Sequence, residues 1–216
     1  ALAVHPRFRK TGGVILFFDG DGWRAQDSGV IMDLFGVGGS GTSDVWAVGV
    51  GGTAVHWDGS RWEKISLGTT KPLNAVWAAS AQDAWVSSQM GELFHWDGTR
   101  FGPSTVGTAD LYGVWGTAPN DVWAVGSGST ALHYNGVAWS SVGVNQSNAA
   151  NLRAVWGPNA ATVYAVGEEG GAREALVQHR GEGVEVRAVV DGDALGLLGG
   201  HVRRRAEDLA RHREVR

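Results

Sequence analysis

Apolar residues run along this chain in short bursts, broken by glycine, aspartate and asparagine, and the bursts return in a fixed order. Leu34-Phe-Gly-Val-Gly-Gly39 opens a pattern that comes back as Leu73-Asn-Ala-Val-Trp-Ala78, Leu111-Tyr-Gly-Val-Trp-Gly116 and Leu152-Arg-Ala-Val-Trp-Gly157. Each opening run leads through a polar bend into a second one: Asp44-Val-Trp-Ala-Val-Gly49, Asp83-Ala-Trp-Val-Ser-Ser88, Asp121-Val-Trp-Ala-Val-Gly126 and Thr162-Val-Tyr-Ala-Val-Gly167. Runs this short, rich in valine and aromatic residues and bounded by turn formers, predict β-strands.

A third run ends in a turn signal: Ala54-Val-His-Trp-Asp-Gly59, Leu93-Phe-His-Trp-Asp-Gly98 and Ala131-Leu-His-Tyr-Asn-Gly136, with a degenerate forerunner in Ile15-Leu-Phe-Phe-Asp-Gly20. Asp-Gly or Asn-Gly between apolar runs predicts a hairpin closed by a two-residue type I′ turn, whose central residues both need positive φ. A fourth strand follows, with Trp62, Phe101, Trp139 and Trp23 in equivalent places. A two-residue turn sets His56 opposite Arg61, His95 opposite Arg100 and Val55 opposite Trp62. The unit is a four-stranded antiparallel meander of about 40 residues, a length typical of repeat architectures.

One such meander exposes two apolar faces, so copies must stack on one another. Four-stranded units arranged radially make a β-propeller, and an all-β propeller of about four to five blades is the predicted fold. The blades fall near residues 34–72, 73–110 and 111–151, with half-blades at 14–33 and 152–183, all within a repeat region spanning 1–183. The half-blades could pair to close a small ring or be parts of a longer propeller, and the low blade number favours the second. Glycine, 34 of 216 residues, is about double its usual share and suits many tight turns. The 11 tryptophans supply flat plates for packing blade on blade.

The order L-x-x-V-W-G, D-V-W-A-V-G, H-W-D-G-x-x-W resembles the tryptophan-rich propeller repeats of secreted myxobacterial and related bacterial proteins. It is also similar to tectonin-type lectin repeats, and its aromatic-Asp-Gly hairpin to a shortened kelch motif. The resemblance runs from about Val14 to Gly183. It implies a binding module located outside the cell or in the bacterial envelope, with a protein or a glycan as partner. Two positions depart from the pattern: Gly38 stands where the other copies carry Trp77, Trp115 and Trp156, and the last copy reads Leu176-Val-Gln-His-Arg-Gly181 in place of the Asp-Gly hairpin.

The segment 184–216 lacks tryptophan and gathers arginine at Arg203-Arg-Arg205 and at its end. Glu185-Val-Arg-Ala-Val-Val190 has strand character and Ala206-Glu-Asp-Leu-Ala-Arg211 could form a turn or two of helix. With a net charge of −4 for the chain, this reads as a solvated basic tail and not as a nucleic-acid surface. The chain has no cysteine, which removes disulfides, thiolate catalysis and cysteine-based zinc sites. No run approaches the ~18 apolar residues of a transmembrane helix.

His56, His95 and His133 share one register before the turn, but equivalent positions in different blades cannot converge on one metal ion, so they are expected to be structural. Asp19, Asp21 and Asp27 imitate part of a calcium-loop spacing, yet Trp23 takes a place that needs an oxygen ligand, and no metal or other cofactor is expected. Asp44, Asp83 and Asp121 are expected to cap turns through backbone N–H groups. Trp46, Trp85 and Trp123 are expected to be plates between blades. Trp77, Trp115 and Trp156 are expected to be such plates as well; they are also the ligand-binding candidates, because they lie on the innermost strand near the central opening.

A catalytic centre would break the repeat with unlike acid, base and nucleophile residues in one place, and none is visible. Arg61, Arg100 and Arg153 are scattered, and Tyr112, Tyr134 and Tyr164 sit within strands, unlike the arginine set and tyrosine nucleophile of propeller sialidases. The expected function is a non-catalytic binding or scaffolding module for a protein or a cell-surface polymer. A tectonin-type lectin is the alternative and a degenerate propeller glycosidase the second.

Overall fold

The computed structural model describes residues 13–144, 150–169, 172–173, 176–180 and 183–187, the last three stretches by their backbone. Strands β1 (Ile15–Phe18) and β2 (Trp23–Gln26) form a hairpin. Three complete four-stranded sheets follow. The first holds β3 (Leu34–Gly41), β4 (Asp44–Gly49), β5 (Ala54–Trp57) and β6 (Trp62–Lys64); the second β7 (Leu73–Ser80), β8 (Asp83–Ser88), β9 (Glu92–Trp96) and β10 (Phe101–Thr105). The third holds β11 (Leu111–Ala118), β12 (Asp121–Gly126), β13 (Ala131–Tyr134) and β14 (Trp139–Ser141). Neighbours in sequence are neighbours in each sheet, the simple meander that the repeat predicts.

The fourth sheet is fuller than the half-blade read from the sequence. It contains β15 (Ala150–Asn159), β16 (Thr162–Glu169), β18 (Leu176–Arg180) and β19 (Gly183–Arg187), with the short β17 (Ala172–Arg173) paired to β16. Strands β18 and β19 pair with Arg180 opposite Gly183, so the sheet runs past the boundary drawn at residue 183. The hairpin needs no Asp-Gly signal because Gly183-Val-Glu-Val-Arg187 still alternates with the period of a strand. The helical turn expected at Ala206 to Arg211 lies outside the described residues.

The hairpins also depart from the predicted register. Trp57 pairs with Trp62, His56 with Glu63 and Val55 with Lys64, and in the next blade His95 pairs with Gly102. Arg61 and Arg100 therefore belong to four-residue loops and not to strands. The cause is the aspartate. Asp58 Oδ1 accepts the backbone N–H groups of Ser60 at 2.8 Å and Arg61 at 2.9 Å, and Asp97 does the same for Thr99 and Arg100. Only the glycines, Gly59 at φ 96° and Gly98 at φ 91°, take positive φ, so the type I′ geometry is not formed. The register slips by two positions, an even number, and every side chain keeps its expected face.

The blades lie in sequence, with β3 packed on β7, β7 on β11 and β11 on β15. The core is divided into clusters that each span two blades. Trp46, Val48 and Leu67 of the first pack with Val86, Phe94, Trp96 and Phe101 of the second. Trp85 and Leu93 of the second pack with Val122 and Leu132 of the third, and Trp123 and Val125 of the third with Leu152 and Val155 of the fourth. At the ends of the arc Val37 is 71% and Trp156 is 59% exposed.

Candidate functional site

Each complete blade carries the same internal contact. The second-strand tryptophan stacks on the third-strand histidine, with ring centroids 4.1 Å apart for Trp46 and His56, and 4.4 Å for both Trp85 with His95 and Trp123 with His133. The histidine Nε2 meets an aspartate Oδ1 at the start of the second strand: Asp44 at 2.7 Å, Asp83 at 3.1 Å and Asp121 at 2.7 Å. Asp44 also accepts from the Ser40 backbone N–H at 3.2 Å and hydroxyl at 2.5 Å, and Asp121 from the Thr117 hydroxyl. Burial alone would raise the Asp44 pKa, but the hydrogen bonds from Ser40 and His56 outweigh it and hold the carboxyl below its ordinary value.

These aspartates were expected to cap turns; Asp44 does so through Ser40, but the partner all three share is histidine. The signal was legible, since each pair is separated by the same 12 residues. Each of these three histidines has its own carboxylate in its own blade, and among the described residues no group of three or more His, Asp or Glu could hold a metal ion. Asp19 binds the N–H groups of Asp21 and Gly22, each at 3.0 Å, as a loop cap.

The first-strand tryptophans lie between neighbouring inner strands. The edge of the Trp77 indole stands 2.9 Å from where a Cβ on Gly116 would be, and Trp115 stands 3.1 Å from the same position on Gly157. Trp115 and Trp156 have ring centroids 6.5 Å apart. Trp77 and Trp115 are half-buried, and Trp156 faces outward from the last blade.

A well-formed opening lies elsewhere, between the β9–β10 hairpin of the second blade and the β13–β14 hairpin of the third. It is a groove of about 590 Å³. Its floor is aromatic: the Trp85 ring centroid lies 4.9 Å from that of Tyr134 and 5.1 Å from that of Trp139. One lip is polar, with His95, Asp97, Arg100 and Ser104; the other presents Val137 and Ala138.

The groove exists because the repeat breaks there. The residue three places after the fourth-strand aromatic is Gln26 in the hairpin, then Ile65, Ser104 and Val142 in the three complete blades. Gln26 Oε1 accepts from Trp62 Nε1 at 2.9 Å. Ile65 packs on the cluster of the first two blades, and Val142 on that of the last two. Ser104 is too short to fill the interface or to cap Trp139, whose Nε1 is buried with no hydrogen-bond partner among the described residues. The Trp85 and Trp46 indole nitrogens are likewise buried and unpartnered among the described residues. Such a difference at one repeat position is visible in the sequence, but its effect depends on which blades face each other.

Against known proteins, no family model and no curated protein matches the chain. Solved structures do. A YCF48 protein bound to a D1 peptide superimposes with a TM-score of 0.60 at 17% identity, over 76% of this chain and 56% of that one. The fold is a β-propeller. YCF48 from Cyanidioschyzon merolae gives 0.59 at 16% identity over 79% of this chain and 64% of that one, and the WD40 repeats of RRP9 give 0.54 at 10% over 72% and 52%. The propeller described here thus spans between half and two-thirds of the length of these neighbours. At such identities the likeness carries the architecture alone.

Proposed function

We propose that this propeller is a non-catalytic binding module that holds a segment of a partner protein in the groove between its second and third blades. One observation carries the reading: Ser104 interrupts a packing position filled by Ile65 and Val142 elsewhere, and so opens an aromatic-floored groove. Its volume is within the range of about 300–1,000 Å³ usual for specific ligand sites. Aromatic floors beside a few polar groups are the composition of interaction hot spots. The titratable groups at the rim already have structural work, His95 with Asp83 and Asp97 with its own loop, which favours binding over chemistry. A neighbour of the same fold holds a peptide, which supports the choice of a protein segment.

The test is to pan a displayed random-peptide library against the whole chain and against its Ser104→Ile variant. Enriched peptides should bind the parent and lose the variant, in which the interface is filled as it is by Ile65. Enrichment of nothing, or of peptides that bind both forms alike, would reject the reading. A glycan array with hits sensitive to Ser104→Ile would install the lectin alternative instead, and turnover of a fluorogenic sialoside would do so for the glycosidase.

A further inference from the structure

We propose that the open side of the β1–β2 hairpin receives a two-stranded β-hairpin from a partner chain, with a tryptophan in the strand that pairs with β1. This surface is separate from the groove between the second and third blades. Phe18 pairs with Trp23 as Trp57 pairs with Trp62, so β1 and β2 are the third and fourth strands of a blade. Gln26 ties them to Trp62 of the first complete blade. In the complete blades the third strand lies between the second and the fourth, whereas among the described residues β1 pairs with β2 alone. Its other edge keeps a row of backbone N–H and C=O groups to which a further strand can add.

The face beside that edge is shaped by the repeat for an inner strand pair. Val76, Val114 and Val155, at one position of the inner strand, are 6%, 7% and 9% exposed because each packs in a cluster shared with the preceding blade. Val37, their equivalent, is 71% exposed. With Val14, Leu16, Phe35 and Ala47 it lines an apolar pocket of about 170 Å³. The aromatic pairs agree. Trp46 lies 5.2 Å and 5.3 Å from Trp96 and Phe101 of the next blade, and Trp85 lies 4.9 Å and 5.1 Å from Tyr134 and Trp139. Trp57 and Trp62, 5.7 Å apart, form the same kind of pair, but the half-blade before them contributes only β1 and β2. A guest tryptophan opposite Phe17, as Trp46 is opposite His56, completes the pattern. Phe17 stands where the complete blades carry histidine, so the guest needs no matching aspartate. A helix would leave the β1 edge unpaired. A second folded copy has no strand pair to give, because β4, β8, β12 and β16 are each already paired to the third strand of their own sheet.

The experiment is a fluorescence-polarisation titration of the full chain with a fluorescein-labelled peptide of residues 111–126, the chain's own inner strand pair. The peptide should bind saturably, and a scrambled peptide of the same composition should not. Trp123→Ala in the peptide should weaken binding at least about tenfold, as expected for an aromatic anchor that becomes buried. Val37→Asp in the chain should weaken it as much by placing a charge on the apolar face; the side chain is exposed, so thermal melts should match the parent. Ser104→Ile should leave binding unchanged, which separates this surface from the groove. Amide exchange should slow in β1 when the peptide is bound. Absence of saturable binding, indifference to Val37→Asp, loss with Ser104→Ile, or protection that spares β1 overturns the proposal. Self-association of the parent that Val37→Asp abolishes also overturns it, because a second copy would then hold the face.

Discussion

Gly38 shows how one missing side chain sets the distance between two blades. A Cβ there would lie 2.3 Å from the Val76 carbonyl oxygen on the neighbouring inner strand, so the tryptophan of the other copies has no room. Gly38→Ala should therefore destabilise the protein by about 1–3 kcal/mol, seen as a lower urea midpoint, whereas a tolerated alanine would show that β3 and β7 can separate freely. The aspartates act at the same scale. Asp58 and Asp97 are lowered from 3.8 to about 2, each chiefly by a hydroxyl of the loop and by backbone N–H groups. A carboxyl depressed in the folded state stabilises above its unfolded pKa and loses that contribution as pH falls through the folded one. Asp44 has the same sign. Denaturation midpoints should thus decline as pH drops from 3.8 towards about 2, and replacing both Asp58 and Asp97 by Asn should flatten that decline. A profile equally steep in the double variant would assign the acid sensitivity to other groups. Both partners of each histidine keep a constant spacing from it, the aspartate 12 residues and the tryptophan 10 residues earlier, and both contacts join the second strand to the third.

Among elements, the fourth strand of each blade decides what lies between blades. The residue three places after its aromatic is a hydrogen-bond cap in Gln26, apolar filler in Ile65 and Val142, and an opening in Ser104. Ile65→Ser should therefore create a second groove against Phe101 and cost about 1–3 kcal/mol, the range for losing a packed aliphatic side chain. Equilibrium denaturation measures the cost, and an unchanged midpoint would mean that Ile65 contributes no packing. The hairpins teach a complementary lesson. Asp-Gly identified where the chain turns, but the aspartate's bonds to two N–H groups, and not the dipeptide by itself, selected a four-residue loop. Face assignment survived the error because a slip of two preserves the alternation of a strand.

At the scale of the whole molecule, the core of the described residues is a series of interfaces, each shared by adjacent blades. Stability in such an array is close to a sum over neighbours, so blades flanked on both sides should be the most protected. Amide hydrogen exchange should be slowest in β8 and β12, whose residues past the leading aspartate are all buried. It should be fastest in the β1–β2 hairpin, where Leu16 is 54% and Trp23 is 70% exposed. Uniform protection across all sheets would point to one cooperative unit instead. The sequence by itself determined the strands of the three complete blades and their antiparallel order, because alternation and turn residues act within a few positions of one another. Tertiary structure alone decided that β18 and β19 complete a fourth sheet and that Ser104 leaves a groove. Those outcomes depend on what stands opposite a residue in the neighbouring blade, about 40 positions away along the chain, a distance at which local patterning has no influence.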